Sequence, residues 1–246
     1  GPPFCKYSYD EQNMALRNAS PSFDHWLGTD KMGRDIFVRI LFGARISLAV
    51  GCLAAVINLI VGTIYGGIAG YVGGKVDMIM MRVVDIIYSV PSMLYIVLIM
   101  LIFGASVVSI MLGISITCWI DMARIVRQQV KSLKEQEFTM AAFVLGAGSS
   151  RILLKHLLIN TMGQIIVTVT LMVPQAIFTE AWLSFLGVGI SAPMASWGTL
   201  AQDARELIMT YPMQTVYPMI AICITIFSFN FVGEGLEKAL DPKRKR

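Results

Sequence analysis

The sequence is poor in the residues that soluble enzymes rely on. Only 15% of its 246 residues are Asp, Glu, Lys or Arg, against roughly a quarter in an ordinary soluble domain. It holds two histidines, His25 and His156, and four scattered cysteines, Cys5, Cys52, Cys118 and Cys223, with no CxxC pair. Neither a redox dithiol nor a zinc-ligand spacing can be drawn from that set. A phosphate-binding loop is missing too: the nearest stretch, around Gly74-Lys75, lacks the first glycine and continues with Val76. No constellation of Ser, His and carboxylate points to an embedded protease or transferase. The expectation is a chain that is not an enzyme and holds neither metal nor cofactor. Cys52, Cys118 and Cys223 lie in apolar runs and read as inert packing residues, while Cys5 has no assignable role.

What the chain has instead is length without charge. Runs free of Asp, Glu, Lys and Arg extend over 46–74, 86–120, 157–179 and 207–233. About 20 mostly apolar residues suffice to cross a bilayer, so each run is long enough, and the fold class is an all-α polytopic membrane protein. The run 86–120 is too long for one ordinary span and is interrupted by Phe103-Gly104-Ala105-Ser106, so it reads as a hairpin of two short helices, with Pro91 near a helix start. Five spans follow, at about 46–71, 88–104, 107–127, 160–182 and 212–234. Around them the chain divides into an outer segment 1–44 with an interfacial helix, a transmembrane domain 45–236 and a basic tail 237–246.

Basic residues orient the spans. Arg124, Arg127, Lys131, Lys134, Arg151 and Lys155 sit between the third and fourth spans, and Lys238, Lys243, Arg244, Lys245 and Arg246 follow the last. Both regions are therefore expected in the cytoplasm. The same count leaves Lys31, Arg34, Arg39 and Arg45 outside, against the rule, and a single helix over 86–120 would remove that conflict. An outer N-terminal segment implies a further helix upstream, giving six spans with both ends inside. Asp30 is expected to cap the interfacial helix, with Ile36, Phe37, Ile40 and Leu41 toward lipid or protein.

Gly62, Gly66, Gly70 and Gly74 recur every four residues, as do Ser47, Gly51 and Ala55. Small residues on one stripe let helices approach closely in lipid. Two polar residues stand at membrane depth. Glu180 could line a pathway near the outer mouth, but a structural role, paired with an outer Arg or with helix-end N–H groups, weighs more near a span end. Asn58 reads as an interhelical hydrogen-bonding residue before a substrate contact.

One segment fits neither lipid nor a plain connector. In Glu137–Asn160, residues Phe138, Ala141, Ala142 and Leu145, then Ile152, Leu153, His156 and Leu157, recur at helical spacing around a Gly146–Ser150 break. An amphipathic helix lying on lipid would carry bulkier apolar residues and more Lys. Small residues on the cytoplasmic side suit a docking knob, with Gly146 permitting close backbone approach.

This segment resembles the coupling loop of ABC-importer permeases: Ala141-Ala142 and Gly146 fall at the matching places, with Met140 where the family often has Glu and Ile159 where it has Pro. His25-Trp26-Leu27-Gly28-Thr29-Asp30, Gly33-Arg34-Asp35 and Gly43-Ala44-Arg45-Ile46-Ser47-Leu48 are similar to the stretch before the second helix in the C-type oligopeptide and dipeptide permeases. Gly70-Tyr71, Gly73-Gly74, Asp77, Met81-Arg82, Asp85, Pro91, Ala123-Arg124, Val126-Arg127, Leu183–Gly187, Pro193 and Ser196-Trp197-Gly198 continue the likeness, which runs from Tyr7 to Pro242. Tyr7–Asp10 with Gln12-Asn13 points to the oligopeptide subgroup. The resemblance implies one permease subunit of an ATP-driven peptide importer in a bacterial inner membrane. Its partners would be a second, homologous permease, two cytoplasmic ATPases carrying ATP and Mg, and an extracytoplasmic peptide-binding protein. Phe138, Ala141, Ala142, Leu145, Gly146 and Arg151 would meet an ATPase, and loop 129–159 would move with it. A nickel or other small-solute permease shares the signature. A channel or secondary transporter would need charged relay residues within its spans, and Glu180 is nearly alone there.

Overall fold

In lipid every backbone N–H has to find a carbonyl within the protein, so apolar runs of this length become helices. The computed structural model describes residues 6–190 and 194–240, and its named elements are all helical. They are α1 (Ile36–Val72), α2 (Gly74–Tyr88), α3 (Ser92–Phe103), α4 (Val107–Lys134), α5 (Glu137–Val144), α6 (Ser149–Phe185), α7 (Trp197–Ala204) and α8 (Pro212–Leu240). Helices α1, α4, α6 and α8 are long and apolar enough to cross a membrane, and α2 with α3, bent by 71° at their break, make a fifth candidate. Cys5, Pro193 and the end of the basic tail lie outside the described residues.

The all-α expectation holds, but two boundaries move. Helix α1 starts at Ile36, not near 46, and runs for 37 residues. At about 1.5 Å per residue it reaches about 55 Å, well beyond the ~30 Å hydrocarbon core. The stretch expected as a separate interfacial helix is therefore the beginning of the first span. Its cap is Asp35 rather than Asp30: Asp35 Oδ1 accepts from the Val38 N–H at 2.8 Å. Asp30 instead folds a tight turn, accepting from the Met32 and Arg34 N–H groups at 2.8 and 3.0 Å. Gly33, with φ +71°, turns the chain there before a helix can begin.

The second change concerns the expected hairpin. Its turn is present: Gly104 has φ +84°, and Ser106 Oγ caps α4 by accepting from the Ser109 N–H at 3.1 Å. Its first arm, however, has only 12 residues, about 18 Å of helix, too short to cross alone. The chain from Gly74 to Tyr88, taken from sequence as a connector, is helix α2 and supplies the missing length. The Pro91 carbonyl accepts from the Leu94 N–H at 2.9 Å, so the proline stands just ahead of α3, where its missing N–H costs nothing.

The chain forms two compact units. The first comprises Gly1–Cys52, Ile96–Leu112 and Pro174–Ser228. In it the segment before α1 is tied down by buried charge. Asp30 Oδ2 accepts from Arg34 Nε at 2.7 Å and from Arg39 Nη1 at 2.6 Å, and Asp203 Oδ2 on α7 accepts from the same two arginines at 3.0 and 3.2 Å. His25 Nδ1 lies 2.8 Å from Asp35 Oδ2, and its ring stacks on Tyr7. Of the four basic residues expected outside against the charge rule, Arg34 and Arg39 are neutralised in place by Asp30 and Asp203.

The second unit comprises Leu53–Tyr95, Gly113–Val173 and Phe229–Arg246. Here α1 packs on α4 through its glycines. A Cβ on Gly62 would meet Met122 Cβ at 2.6 Å, one on Gly70 would meet the Arg127 carbonyl at 2.6 Å, and Gly66 lies against the Ala123 carbonyl. Gly74 does not join them; it has φ +56° and opens α2. Met122, Val126, Val130, Ile152, Leu157 and Ile165 form the core beside this contact. At Asn58–Gly62 α1 widens into a π turn, and α6 does the same at Ile152–Leu157. Cys118 is packed here, with Sγ 3.7 Å from the Ala54 carbonyl. Cys52 and Cys223, expected to be buried, face outward from the chain.

Candidate functional site

The segment around α5 is a short helix held at one edge. Thr139 is buried and its hydroxyl donates to the Leu133 carbonyl at 2.8 Å. Ala142 and Ala147 pack against the core of the second unit. The rest projects. Phe138 is 39% exposed, Met140 58%, Phe143 72%, Val144 83% and Leu145 86%. Ala141 and Arg151 are exposed as well. The sequence pattern places Ala142 with Phe138, Ala141 and Leu145 on one outward face; the structure turns Ala142 inward. It adds Met140, Phe143 and Val144 to the exposed set, residues that periodicity alone missed. With only eight residues, α5 shows little period to read. The useful signal was Thr139, a polar residue that fixes which side faces in.

Gly146 has a role that spacing did not reveal. Its φ is +80°, and a Cβ there would touch nothing within 4 Å. The Gly146 N–H donates to the Phe143 carbonyl and the Ala147 N–H to the Ala142 carbonyl, each at 3.0 Å. That pair of bonds is a Schellman closure, which needs a left-handed residue at this position. Within the chain the glycine is therefore required by backbone conformation, and close packing is not what demands it. The closure ends α5 abruptly and leaves Val144 and Leu145 at the tip.

Glu180 is fully buried in the first unit. Ser47 donates to its Oε2 at 3.0 Å and Ser184 to its Oε1 at 2.8 Å. Ser47 Oγ in turn receives the Trp197 N–H, the first of α7, at 3.4 Å. The carboxylate thus faces the positive end of α7 through the hydroxyls of Ser47 and Ser196, and Ser196 also caps α7 in a reciprocal pair with Thr199. No described Arg or Lys pairs with it. This arrangement clamps α1, α6 and α7 together. Asn58 is also fully buried, at the first residue of the π turn, and both its amide atoms lack a partner among the described residues. Asn58 belongs to the second unit and Glu180 to the first.

Among the described residues, no group of three or more His, Cys, Asp or Glu could hold a metal ion. What the chain offers is an apolar protrusion on a packed core.

Residues 62–246 match the model of the family "binding-protein-dependent transport system inner membrane component". The oligopeptide transport system permease protein OppC of Bacillus subtilis (strain 168) is 51% identical over 245 residues, covering 100% of this chain and 80% of that one. The dipeptide transport system permease protein DppC of the same organism is 47% identical, covering 100% and 77%. OppC of Escherichia coli (strain K12) is 42% identical, covering 98% and 81%. Among solved structures, an inward-facing form of the MetNI methionine ABC transporter superposes with a TM-score of 0.67 at 17% identity, over 84% of this chain and 98% of that chain. An amino acid ABC transporter superposes at 0.63 and 14% identity, over 82% and 94%. At such low identity these structures speak for the fold. By the family match and by relatives aligned over nearly the whole chain, the protein belongs to the binding-protein-dependent transport system inner-membrane components.

Proposed function

We propose that this chain is the peptide-conducting permease subunit of an ATP-driven importer, and that α5 with its Schellman tip is the part an ATPase grips. The observation that carries the reading is the exposed apolar tip, Phe143, Val144 and Leu145, on a helix anchored through Thr139 and Ala142. Such a patch is unstable in water unless a partner covers it. A groove on a cytoplasmic ATPase is the partner that a member of this family requires. The same orientation puts the C-terminus in the cytoplasm and the Tyr7–Asp35 segment outside, toward a peptide-binding protein. A second, homologous permease completes the path. ATP and Mg belong to the ATPases, and this chain contributes no catalytic group.

In mechanism, ATPase closure displaces α5, and α4 and α6, which flank it in sequence, carry the displacement into the spans. That is a rigid-body change of access. Coupling is reciprocal, so peptide delivered outside also favours closure inside. The relatives transport oligopeptides and dipeptides by name, which supports peptide as the cargo. Purification from native membranes in mild detergent tests the assembly. Two ATPase chains and a second permease should co-elute, and peptide should stimulate ATP hydrolysis in reconstituted vesicles when binding protein is present. Elution of the chain alone, from membranes where it is expressed with its neighbours, defeats the proposal.

A further inference from the structure

A basic groove between α2 and α4 has no part in the reading above. It encloses about 490 Å³ and is lined by Met81, Asp85, Arg124, Arg127, Gln128 and Lys131, all in the second unit. Helix geometry explains it. On α4, Arg124, Arg127 and Lys131 recur at steps of three and four, opposite the buried stripe of Met122, Val126 and Val130. On α2, Asp77, Met81 and Asp85 recur at steps of four and form the facing wall.

The charges in the groove do not cancel. Arg127 holds buried Asp77 with two donors, through Nε and, at 2.6 Å, through Nη2. Lys131 Nζ stands 3.6 Å from the same carboxylate. Arg124 reaches Asp85 at 3.0 Å with one amino group and lies over the Tyr88 ring at 4.3 Å. Three cations therefore face two carboxylates, leaving one positive charge. The second amino group of Arg124 and the Gln128 amide have no protein partner among the described residues. Arg124 and Lys131 keep 36% and 48% of their side chains exposed, so their donors are available.

We infer that this groove binds a phosphate group carrying one negative charge, with Arg124, Gln128 and Lys131 as donors and Arg127 held in place by Asp77. Lipid is the source the surroundings favour. Met78 and Ile86 on α2 are 62% and 63% exposed beside the acidic row, which gives an acyl chain an apolar surface next to the charge. Basic pockets between spans at the cytoplasmic side are where anionic headgroups settle, and the proposed orientation puts this groove on that side. The nature of the cargo does not enter.

The test uses the purified complex, delipidated in detergent and titrated with phosphatidylglycerol, with phosphatidylcholine as the neutral control, and read by native mass spectrometry. Phosphatidylglycerol should be retained in preference to phosphatidylcholine. Arg124→Ala/Lys131→Ala should weaken its retention at least about tenfold, a shift of roughly 1.4 kcal/mol. Arg205→Ala/Lys238→Ala, the same loss of charge at exposed positions outside the groove, should not. A second arm adds millimolar inorganic phosphate. Undiminished retention identifies the lipid as the ligand, and displacement assigns the same site to a free anion. Equal retention of both lipids, or equal loss in both double variants, overturns the inference. Partner chains are counted in the same spectra, so a failed assembly is seen separately from a failed lipid site.

Discussion

Two adjacent glycines in α1 should respond oppositely to the same substitution. Gly66 is pressed against α4: a Cβ there would collide with the Ala123 carbonyl and stand 2.9 Å from Ala123 Cα. Backbone atoms cannot step aside as a side chain can. At Gly67 the same Cβ would meet Leu158 Cδ2 at 3.5 Å and Leu153 Cδ1 at 3.7 Å, ordinary contacts with flexible methyls. Replacing glycine by alanine inside a helix gains about 1 kcal/mol of helix propensity at either position. That gain cancels in the comparison, and what remains is the cost of overpacking at Gly66, typically about 1–3 kcal/mol. Gly67→Ala should therefore be neutral or stabilising, and Gly66→Ala destabilising. For a chain of this length the two melting temperatures should differ by roughly 2–4 °C per kcal/mol. Thermal unfolding in one detergent, followed by tryptophan fluorescence, reads the difference, since Trp119 lies beside Tyr65 at this contact. Equal shifts in the two variants would refute the close-approach account of the α1–α4 contact.

Other variants examine the remaining features. Gly146→Trp should insert and fold yet lose transport and ATPase association, whereas Gly146→Asn, which tolerates the left-handed conformation, should keep a measurable part of both; equal loss of the two would remove backbone conformation as the reason for the glycine. Glu180→Gln keeps an acceptor for one of the two serines and turns an amide donor to the other, whose hydroxyl can rotate to accept it, so peptide uptake should stay near the parent level, and an intact but inactive variant would move Glu180 from the clamp into the pathway. Asp203→Ala strips one carboxylate from buried Arg39, and because Asp203 is itself 32% exposed the loss should be about 1–3 kcal/mol, below the ~3–5 of a fully buried pair; a melting temperature unchanged from the parent would show that Asp30 alone suffices.

Much of the fold was legible because lipid leaves few options. Charge-free runs gave the spans at 160–182 and 212–234 inside α6 and α8, and Gly104 gave the turn before α4. The start of α1 was hidden because Arg39 and Arg45 read as the end of an apolar segment. In the structure Arg39 is matched by Asp30 and Asp203, and a partner 164 residues away leaves no trace in local composition. Helix α2 was hidden for a related reason. Its charges Lys75, Asp77, Arg82 and Asp85 suggest a connector until Arg124 and Arg127 are seen opposite the carboxylates. The docking segment was found by its break at Gly146, but its outward face was not, since burial of Ala142 depends on a core assembled from α4 and α6.

The π turn at Asn58–Gly62 bears on how insertions and deletions act in α1. In a straight α-helix each step of four residues overshoots a full circle by about 40°. Ala54, Asn58, Gly62, Gly66 and Gly70 would then fan out over about 160°, too wide for one neighbour to cover. All five are buried. The π turn takes in one extra residue, which returns about 100° of that drift and holds the glycines in phase with α4. The widened turn works as a spacer in the helix's rotation. Deleting Ile60 or Val61, both exposed, would therefore restore an ordinary helix with Gly66 and Gly70 still in phase with α4, whereas a deletion in the regular turns on either side, with the π turn kept, would swing them about 100° away.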